Sequence, residues 1–321
     1  MPKVQENNIF QRYKKLWFVV ILIAILFIGG EIAVGNFLSL SQVLLTVRMA
    51  AMIALFALCQ MIVMSSGGDG LDLSIGFNAT LTAVLTASIM DGSNGNLPLA
   101  ILVAVVLGAG IGTANGLLSA YMKLPPLIVT LAMGTILQGI INVYTAGHNI
   151  TGRPSPILST LAAGTTGIFP NIVFLLTVVL VIVVIVMTKT SVGRKIFGVG
   201  ANETAAYLSG INVRATRLKS FIFSGIWASC MGLILLGNMG IAFKDMGSNF
   251  IMPSIAAAVV GGVAMGGGEG NYLGVVLGSV FLQALTNLLV ALGWGDAGKW
   301  LGFGIVLFAM LLFYSREKRS K

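Results

Sequence analysis

Asn171-Ile-Val-Phe-Leu-Leu-Thr-Val-Val-Leu-Val-Ile-Val-Val-Ile-Val-Met-Thr188 carries no charge and is followed by Lys189, Arg194 and Lys195. An uninterrupted apolar stretch of this length predicts a helix that crosses a bilayer, which needs roughly 20 such residues. The rest of the chain repeats the pattern. Candidate spans fall near 16–30, 43–64, 72–90, 98–121, 126–146, 171–188, 219–238, 252–266, 271–292 and 298–314. Charged residues make up 9% of the 321 and apolar residues 57%, with a mean hydropathy of +0.97. So few charges could not cover a water-facing surface, and lipid must be the solvent for much of the molecule. The expected fold is an all-α polytopic membrane protein with about ten transmembrane helices.

The net charge of +9 does not point to nucleic acid, because the basic residues cluster in loops and tails beside the spans. An even number of spans puts both termini on one side. With the ends inside the cell, all of the 19 basic residues are cytoplasmic except Arg48, Arg153, Lys244 and Lys299. The positive-inside rule supports that orientation. The expected organisation is a cytoplasmic tail over 1–15, one transmembrane domain over 16–314 with its large cytoplasmic loop at 189–218, and a basic tail over 315–321. Only Gly29-Gly-Glu31 follows the first apolar run, not a small-residue cleavage site, so that span is expected to be retained. Cys59 and Cys230 both fall in apolar stretches, which argues against a disulfide framework or a metal site.

Within the large loop, Gly198-Val-Gly-Ala-Asn-Glu-Thr-Ala-Ala-Tyr-Leu-Ser-Gly-Ile-Asn-Val213 reads as a short, capped helix. Asn202 is a good N-cap, and Glu203 stands where the positive helix end favours an anion. Thr204 to Ser209 makes about two turns, and Gly210 can take the left-handed conformation that stops a helix. Such a helix on a basic loop does nothing obvious for a bundle. It reads as a handle for another protein, offering either the charge of Glu203 or the apolar face of Tyr207 and Leu208, with the apolar face favoured.

Acids are few, so each one weighs. Asp69 and Asp72 lie in Ser65-Ser-Gly-Gly-Asp-Gly-Leu-Asp-Leu-Ser-Ile-Gly76. Asp72 or Ser74 can cap the third span; equally, an intramembrane acid is a candidate cation or proton site. Gly67-Gly-Asp-Gly70 recurs as Gly267-Gly-Glu-Gly270, each between apolar runs, a hint of an internal repeat. Gly108, Gly110, Gly112 and Gly116 suit close helix packing, and Arg48 is expected to snorkel to the interface. His148 is the sole histidine, so no His-based triad or histidine-pair metal site is expected. Gly147-His-Asn-Ile-Thr-Gly152 has the glycine spacing of a phosphate-binding loop, but Arg153-Pro154 replaces the Lys-Ser/Thr that such a loop requires. No catalytic residue is assigned. Asn78, Thr82, Asn115, Thr130, Gln138 and Asn142 are polar positions on spans that could line a pathway. They could equally bond helices together, at about 0.6–2 kcal/mol each.

Several segments in the same order resemble one family. Gly67 to Gly76 resembles the "GG-x-DLS-x-G" signature of sugar-type ABC importer permeases, the ribose, galactose and xylose branch. Asn115-Gly116 and Lys123-Leu-Pro-Pro-Leu-Ile-Val-Thr-Leu131 are similar to its "NG … K-x-P-x-FIVTL" block, and Gly200 to Ile211 to its "GGNE-x-AA-x-LSGI" loop. Ala257-Ala-Val-Val-Gly-Gly262 and Gly266 to Gly270 match its "AAVVIGG … GG-x-G" region. Asp69 departs from the pattern as an additional residue between Gly68 and Asp72.

The resemblance implies a type II importer permease in a bacterial inner membrane, where two ten-span subunits enclose a pathway. It implies docking of Asn202, Glu203, Ala206, Tyr207, Leu208, Ser209 and Gly210 in a cleft of a cytoplasmic ATPase, which would hold the ATP and Mg. An external sugar-binding protein would dock on the outer loops. Gly67, Gly68, Asp72 and Ser74 form the family turn. The competing expectation is an ion-coupled secondary transporter using Asp72.

Overall fold

The computed structural model describes residues 9–146, 150, 152–295, 297–306 and 308, with side chains from residue 16 onward. His148 therefore lies outside the described residues. The chain is almost wholly helical. Helices α1 (Ile9–Val34), α2 (Leu40–Ser65), α3 (Ile75–Met90), α4 (Leu97–Gly116) and α5 (Pro126–Thr145) come first, and a π turn over Leu117–Tyr121 extends α4. A short helix, α6 (Pro156–Ala163), and a two-residue antiparallel hairpin (Thr165–Thr166 with Phe169–Pro170) precede α7 (Asn171–Lys189). Then come α8 (Ser191–Ala201), α9 (Glu203–Leu208), α10 (Val213–Met239), α11 (Ile251–Val260) and α12 (Tyr272–Ala291), and residues 297–306 are helical again.

Among the described residues, seven helices are long and apolar enough to cross a membrane: α1, α2, α4, α5, α7, α10 and α12. Two candidate spans are shorter than their sequence suggests. The third starts at Ile75 instead of residue 72, because the chain turns between 66 and 74, with Gly67, Gly68 and Asp69 at positive φ. The eighth ends at Val260, since Gly262 takes a φ of +88° and turns the chain back. Much of the tenth candidate, 298–314, lies outside the described residues.

Helix α2 is the axis of the bundle. Every residue from Ala50 to Ser65 is buried, as a helix apolar on all sides requires. Trp227 on α10 and Tyr272 on α12 grip it by donating side-chain hydrogen bonds to the carbonyls of Leu55 (2.8 Å) and Ala54 (3.0 Å). Helix α10 lies across α4, where a Cβ on Gly108 would overlap Gly225 O and one on Gly112 would overlap Phe221 O. Gly116 meets Leu218 one turn further on, whereas Gly110 faces open space. Only the glycines spaced by four serve this contact, and small residues there bring the backbones together.

Arg48, expected to snorkel to the interface, is half-buried, and its Nε is buried with no hydrogen-bond partner.

The two short helices begin side by side inside the bundle. Gly247 N donates to Thr80 Oγ1 (3.0 Å), and a Cβ on Gly76 would stand 2.6 Å from Ile251 Cγ1. From that meeting point α3 runs to one end of the molecule, where Gly152 abuts Ala87, and α11 runs to the other, where Gly261 abuts Gly274. They are shortened helices, of 16 and 10 residues, that start within the protein. Interrupted helices are tolerated at membrane depth when protein surrounds their ends.

Candidate functional site

The 189–218 loop folds as expected from its caps. Asn202 Oδ1 accepts from Ala205 N at 2.9 Å, and Gly210 takes a φ of +79° to end the turn. The helix between them, Glu203–Leu208, has the six-residue length expected and starts one residue earlier. Ala206 is its anchor, packed with Val199, Val213 and Ile211, and Ser209 Oγ donates back to Ala205 O at 2.9 Å. Tyr207 and Leu208 point away from the protein and are 71% and 79% exposed. Two large apolar side chains exposed side by side on a capped loop helix form a surface that the described chain leaves uncovered.

Glu203 is used internally. Its carboxylate accepts from Arg217 Nη2 at 2.9 Å, and Arg217 Nε also donates to the carbonyl of Ser66 at the end of α2, at 3.4 Å. The charge of Glu203 thus braces the loop helix against the bundle, and the apolar side chains of Tyr207 and Leu208 stay exposed. Beside this brace three glycines from distant segments meet. A Cβ on Gly67 would lie 2.8 Å from Gly200 Cα, and one on Gly267 only 2.5 Å from Gly67 Cα and 3.0 Å from Gly200 Cα. Gly268 N donates to Ser65 O at 3.1 Å. The two repeated Gly-Gly-acid-Gly turns therefore converge on α8, just ahead of the loop helix. Gly67, Gly68 and Asp69 have successive φ values of +75°, +69° and +52°. Asp69, the additional residue, takes a left-handed conformation that aspartate tolerates better than most residues.

Beyond this turn lies a buried polar knot. Asp72 Oδ1 accepts from Ser74 N (3.1 Å) and Ser74 Oγ (2.6 Å), and Oδ2 accepts from Ser224 Oγ on α10 (2.7 Å). Gln60 on α2 clamps the Asp72 backbone, donating to its carbonyl (2.7 Å) and accepting from its N–H (3.2 Å). Asn115 Nδ2 donates to Ser74 Oγ at 2.9 Å. Asp72 thus caps the start of the α3 segment, and Ser74 makes no side-chain cap bond of its own. The Asp72 carboxylate ties α10 to this turn, while α2 reaches the turn through Gln60 on the Asp72 backbone and α4 through Asn115 on Ser74.

The six polar span positions separate into two groups. Asn78 donates to Gly225 O (2.8 Å) and accepts from Ser229 Oγ (2.7 Å), and Thr130 Oγ1 accepts from Leu73 N (3.1 Å). These two, with Thr82 and Asn115, are buried between helices. Thr82 Oγ1 and Asn115 Oδ1 have no hydrogen-bond partner. Gln138 and Asn142 lie on α5, half-buried and exposed respectively, and Gln138 Oε1 is also without a partner. Sequence reasoning missed Arg217, Ser224, Gln60 and Gly200. The available signal was the 217, 220, 224 spacing of polar residues, which is one face of a helix.

A bundle of apolar helices with interrupted segments and a braced cytoplasmic-type loop defines the class as a polytopic membrane permease. Residues 42–315 match the family described as "Branched-chain amino acid transport system / permease component". The chain belongs to that family and is a multi-pass protein of the bacterial inner membrane. It is 32% identical to the galactose/methyl galactoside import permease protein MglC of Escherichia coli (strain K12), over 79% of this chain and 81% of the relative. It is 32% identical to the ribose import permease protein RbsC of Haemophilus influenzae, over 84% and 83%. It is 29% identical to the autoinducer 2 import system permease protein LsrC of Shigella flexneri, over 92% and 86%. No solved structure matches significantly.

Proposed function

We propose that this chain is the transmembrane subunit of an ATP-driven importer for a monosaccharide or a related small sugar. A separate ATPase, carrying the ATP and Mg, docks on the α9 loop. The observation that carries this reading is the exposure of Tyr207 and Leu208 on a helix whose one acid is already paired. The substrate class follows the names of the relatives, which import galactose, ribose and autoinducer 2.

The proposed topology has about ten crossings with both termini cytoplasmic. Leu16 at the base of α1 packs near Gly274, at the end of the molecule that carries the 267–270 turn and the loop. The helix after α12 runs back toward that end, since Gly302 faces Leu289 and then Leu285. An external sugar-binding protein would dock on the opposite end, and a second copy or paralogue would complete the pathway. Gln138 and Asn142 are the favoured pathway positions of the six, because the other four are buried between helices.

The test is uptake into liposomes. Chain, ATPase and binding protein together should import sugar only with ATP. Import by the chain alone, or import abolished by collapsing an ion gradient at constant ATP, would replace this reading with ion coupling at Asp72.

A further inference from the structure

Beside the backbone packing of Gly200 on Gly67 and the contact of Ala206 with Val213, one guanidinium carries side-chain hydrogen bonds from the loop helix to the bundle. Arg217 is 20% exposed at its side chain and spans two elements, Glu203 of α9 through Nη2 and Ser66 at the end of α2 through Nε. Its Cζ would stand 3.0 Å from a Cβ on Gly68, so the 66–74 turn wraps the guanidinium only because residue 68 lacks a side chain. Seven residues along α10, about 10 Å deeper, Ser224 holds Asp72 of that same turn. The other anchor of α9 is local, since Ala206 packs only against loop residues and the first residue of α10. A planar guanidinium offers donors fixed in two directions, which a lysine ammonium does not.

We propose that Arg217 is a positioning residue for energy coupling. It makes the loop helix, the end of α2 and the 66–74 turn move as one body. A displacement of α9 then reaches Asp72 and is not absorbed in the loop. This rests on the reading that an ATPase docks at Tyr207 and Leu208.

The test needs no knowledge of the sugar. In the complex of this chain with its ATPase, amide hydrogen exchange is measured with and without ATP plus vanadate. In the parent, the nucleotide changes exchange in both 198–213 and 66–74. In Arg217→Gln the response of 198–213 persists, while that of 66–74 falls by up to about fivefold, the scale of a partly exposed ion pair. An undiminished response at 66–74 overturns the inference. Should Arg217→Gln not assemble, Glu203→Ala removes the acceptor at the exposed end of the brace and is expected to show the same loss; an unchanged response there overturns it equally. Absence of any nucleotide response at 198–213 in the parent overturns the docking reading itself.

Discussion

Gly67 and Gly200, 133 positions apart in the chain, touch backbone to backbone: a Cβ on Gly67 would lie 2.8 Å from Gly200 Cα. No side chain fits between the turn after α2 and the helix that leads into the loop. Gly200→Ala should therefore cost about 1–3 kcal/mol through overpacking, since its Cβ would overlap Ser65 O and Gly268 N. Gly198→Ala is the control. Its Cβ would meet only Ile211 Cδ1 at 3.8 Å, and alanine is the better helix former. Thermal unfolding in detergent should show a clear loss for the first and none for the second.

Ser224→Ala should weaken the polar knot. It removes the donor to Asp72 Oδ2 and strands a buried carboxylate oxygen, at about 1–3 kcal/mol. Adding Asp72→Asn should cost less than the sum of the two single changes, because both act on one bond. A double-mutant cycle by thermal unfolding reads this directly; strict additivity would mean the two residues do not cooperate.

The caps of the loop helix act locally. Asn202→Ala should destabilise α9 by about 0.5–2 kcal/mol, and Gly210→Ala by a similar amount, since φ is +79° there. Limited proteolysis should cut near residues 202–210 faster in both variants while global unfolding is unchanged. Slower cutting would contradict the capping geometry.

How much of this was legible in the sequence depends on whether it is local. The caps at Asn202 and Gly210, and the long spans, follow from side-chain chemistry within a few residues, and the structure places them as read. The shortened helices were less legible. Their ends are set by Gly76 meeting Gly247 and Gly261 meeting Gly274, contacts between residues far apart in the chain. The repeated Gly-Gly-acid-Gly turns were visible as a pattern, but their meeting at Gly200 was not. Arg217 was counted only as one more cytoplasmic cation, because nothing local marks its two partners. The polar span positions look alike in sequence, yet Asn78 bonds two groups on α10 while Asn142 faces outward.

Docking should separate apolar surface from charge. Tyr207→Ala and Leu208→Ala remove exposed side chains and should leave the thermal midpoint within experimental error. Each should weaken co-purification of the ATPase by about 1–3 kcal/mol or more, the scale of a truncated interface anchor. Glu203→Gln should leave co-purification intact, because that carboxylate is held by Arg217. Loss of binding by Glu203→Gln alone would reverse the assignment.

The most direct measurement is sugar uptake by proteoliposomes holding this chain and its ATPase, with binding protein outside and ATP inside, for the parent and for Leu208→Asp. The account predicts ATP-dependent uptake by the parent and none above the ATP-free control for Leu208→Asp, with the bundle still folded. Uptake by Leu208→Asp at the parent rate, or by the chain without any ATPase, would contradict it.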